Sequence, residues 1–234
     1  MKTHLSVIVP IHNEAAVLAN SMPKIIDATA RITPLYEIII AEDGSRDRSY
    51  EIAKKISKAN PAIRVLHSGR RLGRGQALKR AIRMSKGKIV VYMDVDLSSD
   101  LKYLKPLVER IEDGASISTG SRLMKDSKAT RPVKRNVASK GYNALVRLLL
   151  GSKLHDHQCG FKAFRKKDVL PLLEKVKDNH WFWDTEILVR AQREGMRVDE
   201  IPIEWAHGRF TKVDFNRDVL YMFDKILNLK RDLG

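Results

Sequence analysis

The sequence lacks the cysteines and the long apolar runs that are typical of disulfide-rich and membrane-spanning proteins. It contains one cysteine, Cys159, in 234 residues, which excludes a framework of internal disulfides and most cysteine-based zinc sites. Its longest uncharged apolar runs are only a few residues long, far below the roughly 20 that a membrane-spanning helix needs. Because Pro10 and polar residues come so early, we expect no secretory signal peptide. These absences favour a reducing compartment such as the cytoplasm.

Acidic residues are few in relation to basic ones. Lysine and arginine number 44 against 28 aspartates and glutamates, so the formal net charge is +16. Such an excess predicts a polyanionic partner, which is nucleic acid, an anionic membrane surface or a phosphorylated substrate. The apolar share of 43% is enough for a packed core and excludes a disordered chain.

Strand and helix patterns alternate in the first hundred residues. Apolar runs predict four buried strands, at residues 5–9, 36–41, 62–67 and 89–93. Amphipathic stretches predict three helices. The first is at about 15–32, the second follows the strand at 36–41 and ends at about 59, and the third is at 76–85. This alternation indicates an α/β fold, Rossmann-like, with a mostly parallel central sheet and helices on both faces. The second half is less regular and predicts strands at 115–120 and 197–205, helices at 101–112, 137–150, 181–193 and 214–230, and a basic mobile loop at 123–135.

The strand predicted at 89–93 ends abruptly in Asp94-Val95-Asp96. Two carboxylates two residues apart, at the carboxyl end of a buried strand, lie where open α/β sheets bind ligands. Their hard oxygens suit Mg²⁺ or Mn²⁺. Because Mg²⁺ usually leaves its other positions to water and phosphate oxygens, the motif predicts a metal that holds a diphosphate. A solvated turn that closes the strand is the alternative interpretation.

Polar side chains also follow the three earlier strands. They are Asn13 and Glu14, Asp43, and the basic run from Arg70 to Arg74. The carboxyl ends of parallel strands share one edge of a sheet, so these groups are expected to converge on Asp94 and Asp96. The glycine-containing loop at 68–75 has neither the Walker A pattern nor G-x-G-x-x-G, which argues against a P-loop enzyme and a dinucleotide binder.

Seven motifs, in order along nearly the whole chain, carry a family resemblance. P-x-x-N-E at 10–14, acid-D-G-S at 42–45 and M-D-x-D-L at 93–97 resemble the nucleotide-sugar domain of family 2 glycosyltransferases. Four others narrow the resemblance: G-S-R at 120–122, Q-C-G-F-K at 158–162, W-D-x-E at 183–186, and I-P-x-x-W-x-H ending in T-K at 201–212. The set is similar to the dolichyl-phosphate mannose and glucose synthases, and its Q-C-G-F and W-D-x-E variants are closer to the glucose branch.

The resemblance implies a single GT-A domain over 1–234, with a nucleotide-sugar half at 1–99 and an acceptor half at 100–234. It also implies an inverting, metal-dependent transfer of a hexose from a UDP-glucose or GDP-mannose type of donor to a polyprenyl (dolichyl) phosphate. The cofactor would be Mg²⁺ or Mn²⁺.

The resemblance assigns roles by position. It implies that the nucleotide sugar is bound by Pro10, His12, Glu14, Asp43, Asp94, Val95, Asp96 and Lys212. It implies that the acceptor phosphate is bound by Arg122, Arg135 and Lys212. The metal ligands would be Asp94, Asp96 and Ser98, which stands where the mannose enzymes often have a metal-binding glutamine. The catalytic residues would be Asp96, Arg122, Asp184 and Glu186. The last two are alternatively acids that the helix dipole favours at a helix start.

The implied chemistry agrees with the charge of the chain. A lipid phosphate is already an anionic nucleophile, so its attack needs positioning and charge compensation rather than a strong base. A protein of net charge +16 is also drawn to an anionic bilayer. We therefore expect a peripheral protein on the cytoplasmic face of the membrane, acting alone or with a membrane-embedded subunit. The apolar stripe of the 137–150 helix belongs either to the core or to that interface.

Two other functions stay open from the residues. A GT-A transferase with a polysaccharide or protein acceptor would need a strong base, for which Asp184 is the candidate. A nucleic-acid-binding protein would explain the basic composition. However, the chain has no helix-turn-helix or RNA-recognition signature, so we expect no nucleic-acid partner.

Overall fold

The central element of the fold is a seven-stranded sheet. The computed structural model describes residues 3–130, 132–206 and 215–234. The strands in these ranges are β1 (Leu5–Ile11), β2 (Tyr36–Asp43), β3 (Ile63–Ser68), β4 (Ile89–Met93), β5 (Ile117–Ser121), β6 (Lys128–Thr130), β7 (Phe161–Arg165), β8 (Val198–Pro202) and β9 (Glu204–Ala206). Seven of them form the main sheet in the order β3-β2-β1-β4-β7-β5-β8, and β6 pairs with β9 in a small second sheet.

Helices cover both faces of the main sheet. They are α1 (Ala15–Ala30), α2 (Ser49–Ala59), α3 (Arg74–Met84), α4 (Leu104–Glu112), α5 (Val133–Leu150), α6 (Lys166–Lys175), α7 (Trp183–Arg193) and α8 (Phe215–Leu233). Alternate strand residues face opposite layers: Val91 packs with α1 and α4, whereas Val90 and Tyr92 pack with α3, α6 and α7. Burial on both faces explains why strands such as β4 are uninterrupted apolar runs. The predicted α/β class is confirmed.

The strand order creates a switch point between β1 and β4. Strand β1 pairs in parallel with β2 on one side and with β4 on the other, so Val7 lies beside both Ile38 and Val91. The chain therefore leaves β1 in one direction and returns on the opposite side. In open α/β sheets, ligands bind at the carboxyl ends of the strands that flank such a point.

Several predictions for the second half were wrong. Strand β7, which runs antiparallel to β4 and β5, and helix α6 were not predicted. The segment predicted as a mobile loop at 123–135 contains β6 and the start of α5. The single strand predicted at 197–205 is divided at Ile203 into β8, which stays beside β5, and β9, which pairs with β6. Within the three described ranges, no helix is both long and apolar enough to cross a membrane.

Candidate active site

The candidate site lies at the edge of the sheet where β1, β2 and β4 end. His12 follows β1, Asp43 ends β2, and Asp94 follows β4. The Nδ1 atom of His12 lies 2.8 Å from the backbone oxygen of Asp43. Pro10 pairs with Ala41 between the same two strands. The structure thus brings together the strand ends that the sequence predicted would converge.

Two of the predicted nucleotide-site residues also hold the local backbone. The Asp43 carboxylate accepts hydrogen bonds from the backbone nitrogens of Leu72 (2.6 Å) and Gly73 (2.9 Å), and so fixes the loop between β3 and α3. The backbone nitrogen of Glu14 donates to the Ser49 hydroxyl at 2.7 Å, which ties the start of α1 to α2.

The D-x-D motif forms a tight turn with its two carboxylates on the outside. Val95 is 3% exposed and anchors the turn in the core, so any ligand contact of Val95 goes through its backbone. Leu97 has a φ of +54°, a left-handed conformation that costs a leucine about 1–2 kcal/mol. The Ser98 backbone nitrogen and hydroxyl donate to the Asp96 carboxylate at 3.0 and 2.7 Å, which sets its orientation.

Asp94 is held between a guanidinium and a glycine. Its Oδ1 accepts a hydrogen bond of 2.7 Å from Arg74 Nη1. Its Oδ2 lies so close to Gly160 that a Cβ built on this glycine would be 1.9 Å away. Only a glycine at position 160 therefore leaves room for the carboxyl group.

Asp184 lies behind Asp94 in a buried group of charges. Its carboxylate is 3% exposed, accepts a hydrogen bond of 2.9 Å from Lys162 Nζ, and also accepts one from the Tyr92 hydroxyl. Arg74 Nε lies 3.6 Å from the other carboxylate oxygen. Burial, together with the negative charge of Asp184, raises the pKa of Tyr92 well above its usual value. Burial alone would lower the pKa of Arg74, but Asp94 and Asp184 raise it, so Arg74 remains charged.

Glu186 has a different environment from Asp184. Its carboxylate accepts hydrogen bonds from the backbone nitrogens of Lys177 (3.0 Å) and Asp178 (2.8 Å), and from Arg190 Nε (2.8 Å). These contacts brace the segment that leads into α7. The structure does not bring Glu186 into the group formed by Asp94, Arg74 and Asp184.

Arg122, at the end of β5, forms a two-point ion pair with Asp156. The Nε and Nη2 atoms lie 2.6 and 2.8 Å from the two carboxylate oxygens. Burial would raise the pKa of Asp156, but Arg122 outweighs it and holds that pKa well below the usual range. Asp156 is the main cause of the raised pKa of Arg122, to which Cys159 and Asp94 also contribute. The guanidinium carbon of Arg122 also lies 5.7 Å from the ring centre of Trp205, in β9.

The other two cations predicted for the acceptor phosphate are Arg135 and Lys212. Arg135 lies in the first turn of α5, where its backbone nitrogen donates to the oxygen of Pro132 at 3.1 Å. Lys212 lies outside the described residues.

A cavity of about 530 Å³ opens beside the D-x-D turn. It is lined by residues that follow the turn and by residues of the small β6–β9 sheet, among them Leu97, Ser98, Leu101, Lys128, Glu204 and Trp205. The segment after the turn also contacts β9 directly, since the Ala206 backbone nitrogen donates to the Ser98 backbone oxygen at 2.8 Å.

Sequence reasoning missed three residues of the site. They are Tyr92, Asp156 and Lys162. Arg74 belongs to the basic run at 70–74 that was expected to converge on the motif, and the structure places it against Asp94, although the sequence assigned it no role of its own. Lys162 was noted within a motif, but nothing local shows that it is buried.

The two carboxylates of the motif fit a hard divalent cation. In the described ranges, no group of three or more His, Cys, Asp or Glu residues lies together as a metal cage. Asp94 and Asp96 alone suit an ion that takes its remaining ligands from water and a diphosphate. The Ser98 hydroxyl donates its proton to Asp96, and its oxygen lone pairs are the third candidate ligand.

Comparison with protein families gives a match over residues 6–171 to the model described as glycosyl transferase family 2. Glycosyltransferase AglD of Haloferax volcanii is 48% identical over 226 residues, which are 95% of this chain and 36% of that protein. The chain thus spans about a third of the length of this relative. A dolichyl-phosphate beta-glucosyltransferase of Drosophila melanogaster is 30% identical over 246 residues, covering 98% of this chain and 73% of that protein.

Solved structures share the fold at low sequence identity. Glucosyl-3-phosphoglycerate synthase from Mycobacterium tuberculosis, in complex with Mn²⁺, UDP-glucose and phosphoglyceric acid, gives a TM-score of 0.69 at 18% identity over 99% of this chain and 79% of that one. The mannosyltransferase PcManGT from Pyrobaculum calidifontis, in complex with GDP-mannose and Mn²⁺, gives 0.63 at 17% identity, covering 98% and 63%. The predicted GT-A fold is confirmed, and the chain belongs to glycosyl transferase family 2.

Proposed function

We propose that this glycosyltransferase moves a hexose, with inversion, from a nucleoside diphosphate sugar to a polyprenyl phosphate of the dolichyl type. The observation that carries the proposal is the charge of the site. Arg74 pairs with Asp94 of the D-x-D turn, and Arg122 lies beside Trp205 at the neighbouring cavity, whereas the candidate base, Asp184, is buried and ion-paired. An anionic acceptor needs cations and positioning, not deprotonation.

The buried position of Asp184 weighs against acceptors that carry hydroxyl groups. A general base must come within hydrogen-bond reach of the proton that it removes. Asp184 is 3% exposed and bound by Lys162 and Tyr92. A polysaccharide or protein acceptor, which would need such a base, is therefore less well supported than a lipid phosphate. The net positive charge does not by itself favour a nucleic-acid partner. A phosphorylated lipid in an anionic membrane also attracts a basic protein.

We propose that residues 1–99 bind the donor and residues 100–234 bind the acceptor. Asp94 and Asp96, with Ser98, would hold Mg²⁺ or Mn²⁺, which when bound neutralises charge on the leaving diphosphate. The donor contacts would come from Pro10, His12, Glu14, Asp43, Val95 and Lys212, and the acceptor contacts from Arg122, Arg135 and Lys212. The names of the relatives favour UDP-glucose over GDP-mannose. Asp184 would act by orienting Arg74 and Lys162 behind the D-x-D turn, and Glu186 would act only through the backbone before α7.

The membrane-facing surface would be formed by α5 and α8. Most of the α5 stripe is core, since Val146 and Leu150 pack with Ile226 and Leu229 of α8. Large apolar side chains of the two helices nevertheless stay exposed: Leu148 at 81%, Leu220 at 72% and Phe223 at 45%. On a chain of net charge +16, exposed apolar groups of this kind suit insertion into an anionic membrane interface. We propose peripheral attachment at the cytoplasmic face, with or without a membrane-embedded subunit.

Calorimetric titration with UDP-glucose and with GDP-mannose, each with and without Mn²⁺, tests the donor and the metal. We expect metal-dependent binding of UDP-glucose and much weaker binding of GDP-mannose. Metal-independent binding, or no binding of either, would contradict this part of the proposal. For the acceptor, polyprenyl phosphate should be glycosylated while unphosphorylated polyprenol, glucan and peptide are not. Transfer to any of the last three would favour the hydroxyl acceptor.

A further inference from the structure

Arg74 connects the D-x-D turn to the buried charges behind it. Its Nη1 lies 2.7 Å from Asp94 Oδ1, and its Nε lies 3.6 Å from Asp184 Oδ2. The guanidinium carbon is 5.5 Å from the ring centres of both Tyr92 and Trp181. The arginine is thus held by a carboxylate and two aromatic rings on separate parts of the chain.

The backbone of Arg74 is fixed by the glycines on either side. A Cβ on Gly73 would lie 2.4 Å from the backbone oxygen of Asn179, and a Cβ on Gly75 would lie 2.7 Å from Trp183 Cβ. The backbone nitrogen of Gln76 donates to the same Asn179 oxygen at 3.1 Å. The start of α3 therefore lies tightly against the segment before α7, and the guanidinium is the part of Arg74 that is able to move.

The contact between Arg74 and Asp94 uses the carboxylate oxygen that a metal also needs. Gly160 packs against Asp94 Oδ2, which limits the approach of a cation to that oxygen, and Arg74 already donates to the other oxygen, Oδ1. A divalent cation at Asp94 must displace the guanidinium or share the oxygen with it. Both arrangements place two cations beside one carboxylate, which is unfavourable without further negative charge.

The charges around Asp94 nearly cancel before any ligand is added. The carboxylates of Asp94 and Asp184 face the cations of Arg74 and Lys162, and Asp96 adds one negative charge beside Asp94. A divalent cation alone would leave an excess of positive charge, and a diphosphate would compensate it. The Arg74 Nε is buried and makes no hydrogen bond in the described part of the chain, since its ion-pair partner Asp184 Oδ2 lies 3.6 Å away. A phosphate oxygen at hydrogen-bond distance would be a better acceptor for this donor.

We infer that Arg74 is a positioning residue that makes metal binding depend on the diphosphate. Without a nucleoside diphosphate sugar, its guanidinium is the cation that pairs with Oδ1 of Asp94. The diphosphate attracts the guanidinium away and releases that oxygen to the metal, so the two ligands bind cooperatively. This inference rests on the metal and donor of the proposed function. It adds that the cooperativity resides in one side chain.

The test measures Mn²⁺ binding by the full chain, after removal of metals with a chelator, in the absence and presence of UDP. Free Mn²⁺ is counted by electron paramagnetic resonance. For the wild type we expect UDP to tighten Mn²⁺ binding by a factor within the usual range of about 5–150. In Arg74→Gln we expect Mn²⁺ alone to bind more tightly than in the wild type, and the effect of UDP to fall by about tenfold.

Arg83→Gln is the matched control. It removes the same charge from the same helix, but Arg83 pairs with Glu174 at the surface, so metal binding should match the wild type. Trp181→Ala is the second variant, to be used also if Arg74→Gln does not fold. It keeps the charge of Arg74 and removes an aromatic ring that is 39% exposed. We expect it to tighten binding of Mn²⁺ alone and to reduce the effect of UDP, in both cases by less than Arg74→Gln does.

Two results would overturn the inference. One is that Arg74→Gln and Trp181→Ala bind Mn²⁺ alone no more tightly than the wild type. The other is that the UDP effect survives intact in both variants. A wild type that binds no Mn²⁺ with or without UDP would contradict the proposed metal as well. Coupling without any sugar transfer to polyprenyl phosphate would contradict the proposed acceptor and leave this inference standing.

Discussion

Arg122 and Asp156 join two parts of the chain that lie 34 residues apart. Asp156 is fully buried, and besides the two guanidinium contacts it accepts hydrogen bonds from the backbone nitrogens of Arg122 and Gln158, both at 3.0 Å. The end of β5 is thereby fastened to the segment before β7. The pair sets the direction of the arginine that we propose faces the acceptor phosphate.

Removal of Asp156 should destabilise the protein strongly. In Asp156→Ala the guanidinium of Arg122 loses its buried partner, which typically costs about 3–5 kcal/mol. Chemical denaturation measures this loss. Asp199→Ala is the matched control, because Asp199 forms a similar two-point pair with Arg197, whose side chain is half-exposed. Such surface pairs contribute about 0–1 kcal/mol. Equal losses in the two variants would show that burial of the Arg122 pair is unimportant.

A methyl group at position 160 should disable the metal site. In Gly160→Ala the new Cβ would lie 1.9 Å from Asp94 Oδ2 and 2.6 Å from its carboxyl carbon, so Asp94 must turn out of its position. Disturbing the support of a ligand typically weakens metal binding about 10–100-fold, and we expect this for Mn²⁺ in the presence of UDP.

Gly141→Ala is the control for this substitution. Gly141 lies within α5, and nothing lies within 4 Å of the position of its Cβ. Alanine is favoured over glycine in a helix by roughly 0.5–1 kcal/mol, so stability should rise slightly and Mn²⁺ binding should not change. Unaltered Mn²⁺ binding in Gly160→Ala would mean that Asp94 is not a metal ligand.

The half of the fold that carries the D-x-D motif was predictable because its strands are buried on both faces. A strand such as β4 can satisfy that burial only with an apolar run, and the motif marks its end. Strand β7 was not predictable in this way. Its second residue, Lys162, is fully buried, and the carboxylate that compensates it, Asp184, belongs to a helix further along the chain. The sequence around Lys162 does not indicate that such a partner exists.

The same distinction applies to the site. Asp94 and Asp96 follow from their place at a strand end. The position of Arg74 follows from Asp94 and Asp184, which are 20 and 110 residues away in sequence. Motif resemblance grouped Asp184 with Glu186, but in the structure the two side chains have different partners. Asp184 contacts the charged residues behind Asp94, whereas Glu186 binds the backbone before α7. Only the folded chain separates their roles.

His157 should make the protein less stable as the pH falls below about 6.5. Burial lowers the pKa of His157 to about 3, and its ring lies between Asn143 Oδ1 (2.6 Å) and Ser152 Oγ (2.7 Å). The unfolded chain binds a proton near pH 6.5 that the folded chain refuses until near pH 3. Stability is therefore lost on acidification, by up to about 1.4 kcal/mol per pH unit.

Urea denaturation between pH 7 and pH 5 measures this slope. The stabilisation from Asp156, whose pKa is lowered, is lost only below the usual pKa of aspartate, near 4, so it does not interfere. In His157→Gln the slope should decrease by the amount that the buried imidazole contributes. An identical slope in the variant would rule out His157 as its source.

Leu148 should contribute to binding of anionic vesicles. Full burial of a leucine stabilises by about 1.5–3 kcal/mol, so partial insertion of this exposed side chain predicts that Leu148→Gln binds phosphatidylglycerol vesicles several-fold more weakly. Binding of UDP-glucose should be unchanged. Met84→Gln is the control, because Met84 is also exposed, at 46%, but lies on α3. If both variants lose vesicle binding equally, the α5 and α8 surface is not the membrane contact.

The central claim is metal-dependent transfer of a sugar to a lipid phosphate at the D-x-D turn. The most direct measurement follows radiolabelled glucose from UDP-glucose into polyprenyl phosphate with Mn²⁺, for the wild type, Asp96→Asn and Asp113→Asn. Asp113 is an exposed aspartate at the end of α4. We predict an acid-labile glycolipid from the wild type and from Asp113→Asn. We predict none from Asp96→Asn, although this variant should melt at the wild-type temperature. Full transfer by Asp96→Asn, or none by the folded wild type, would contradict the account.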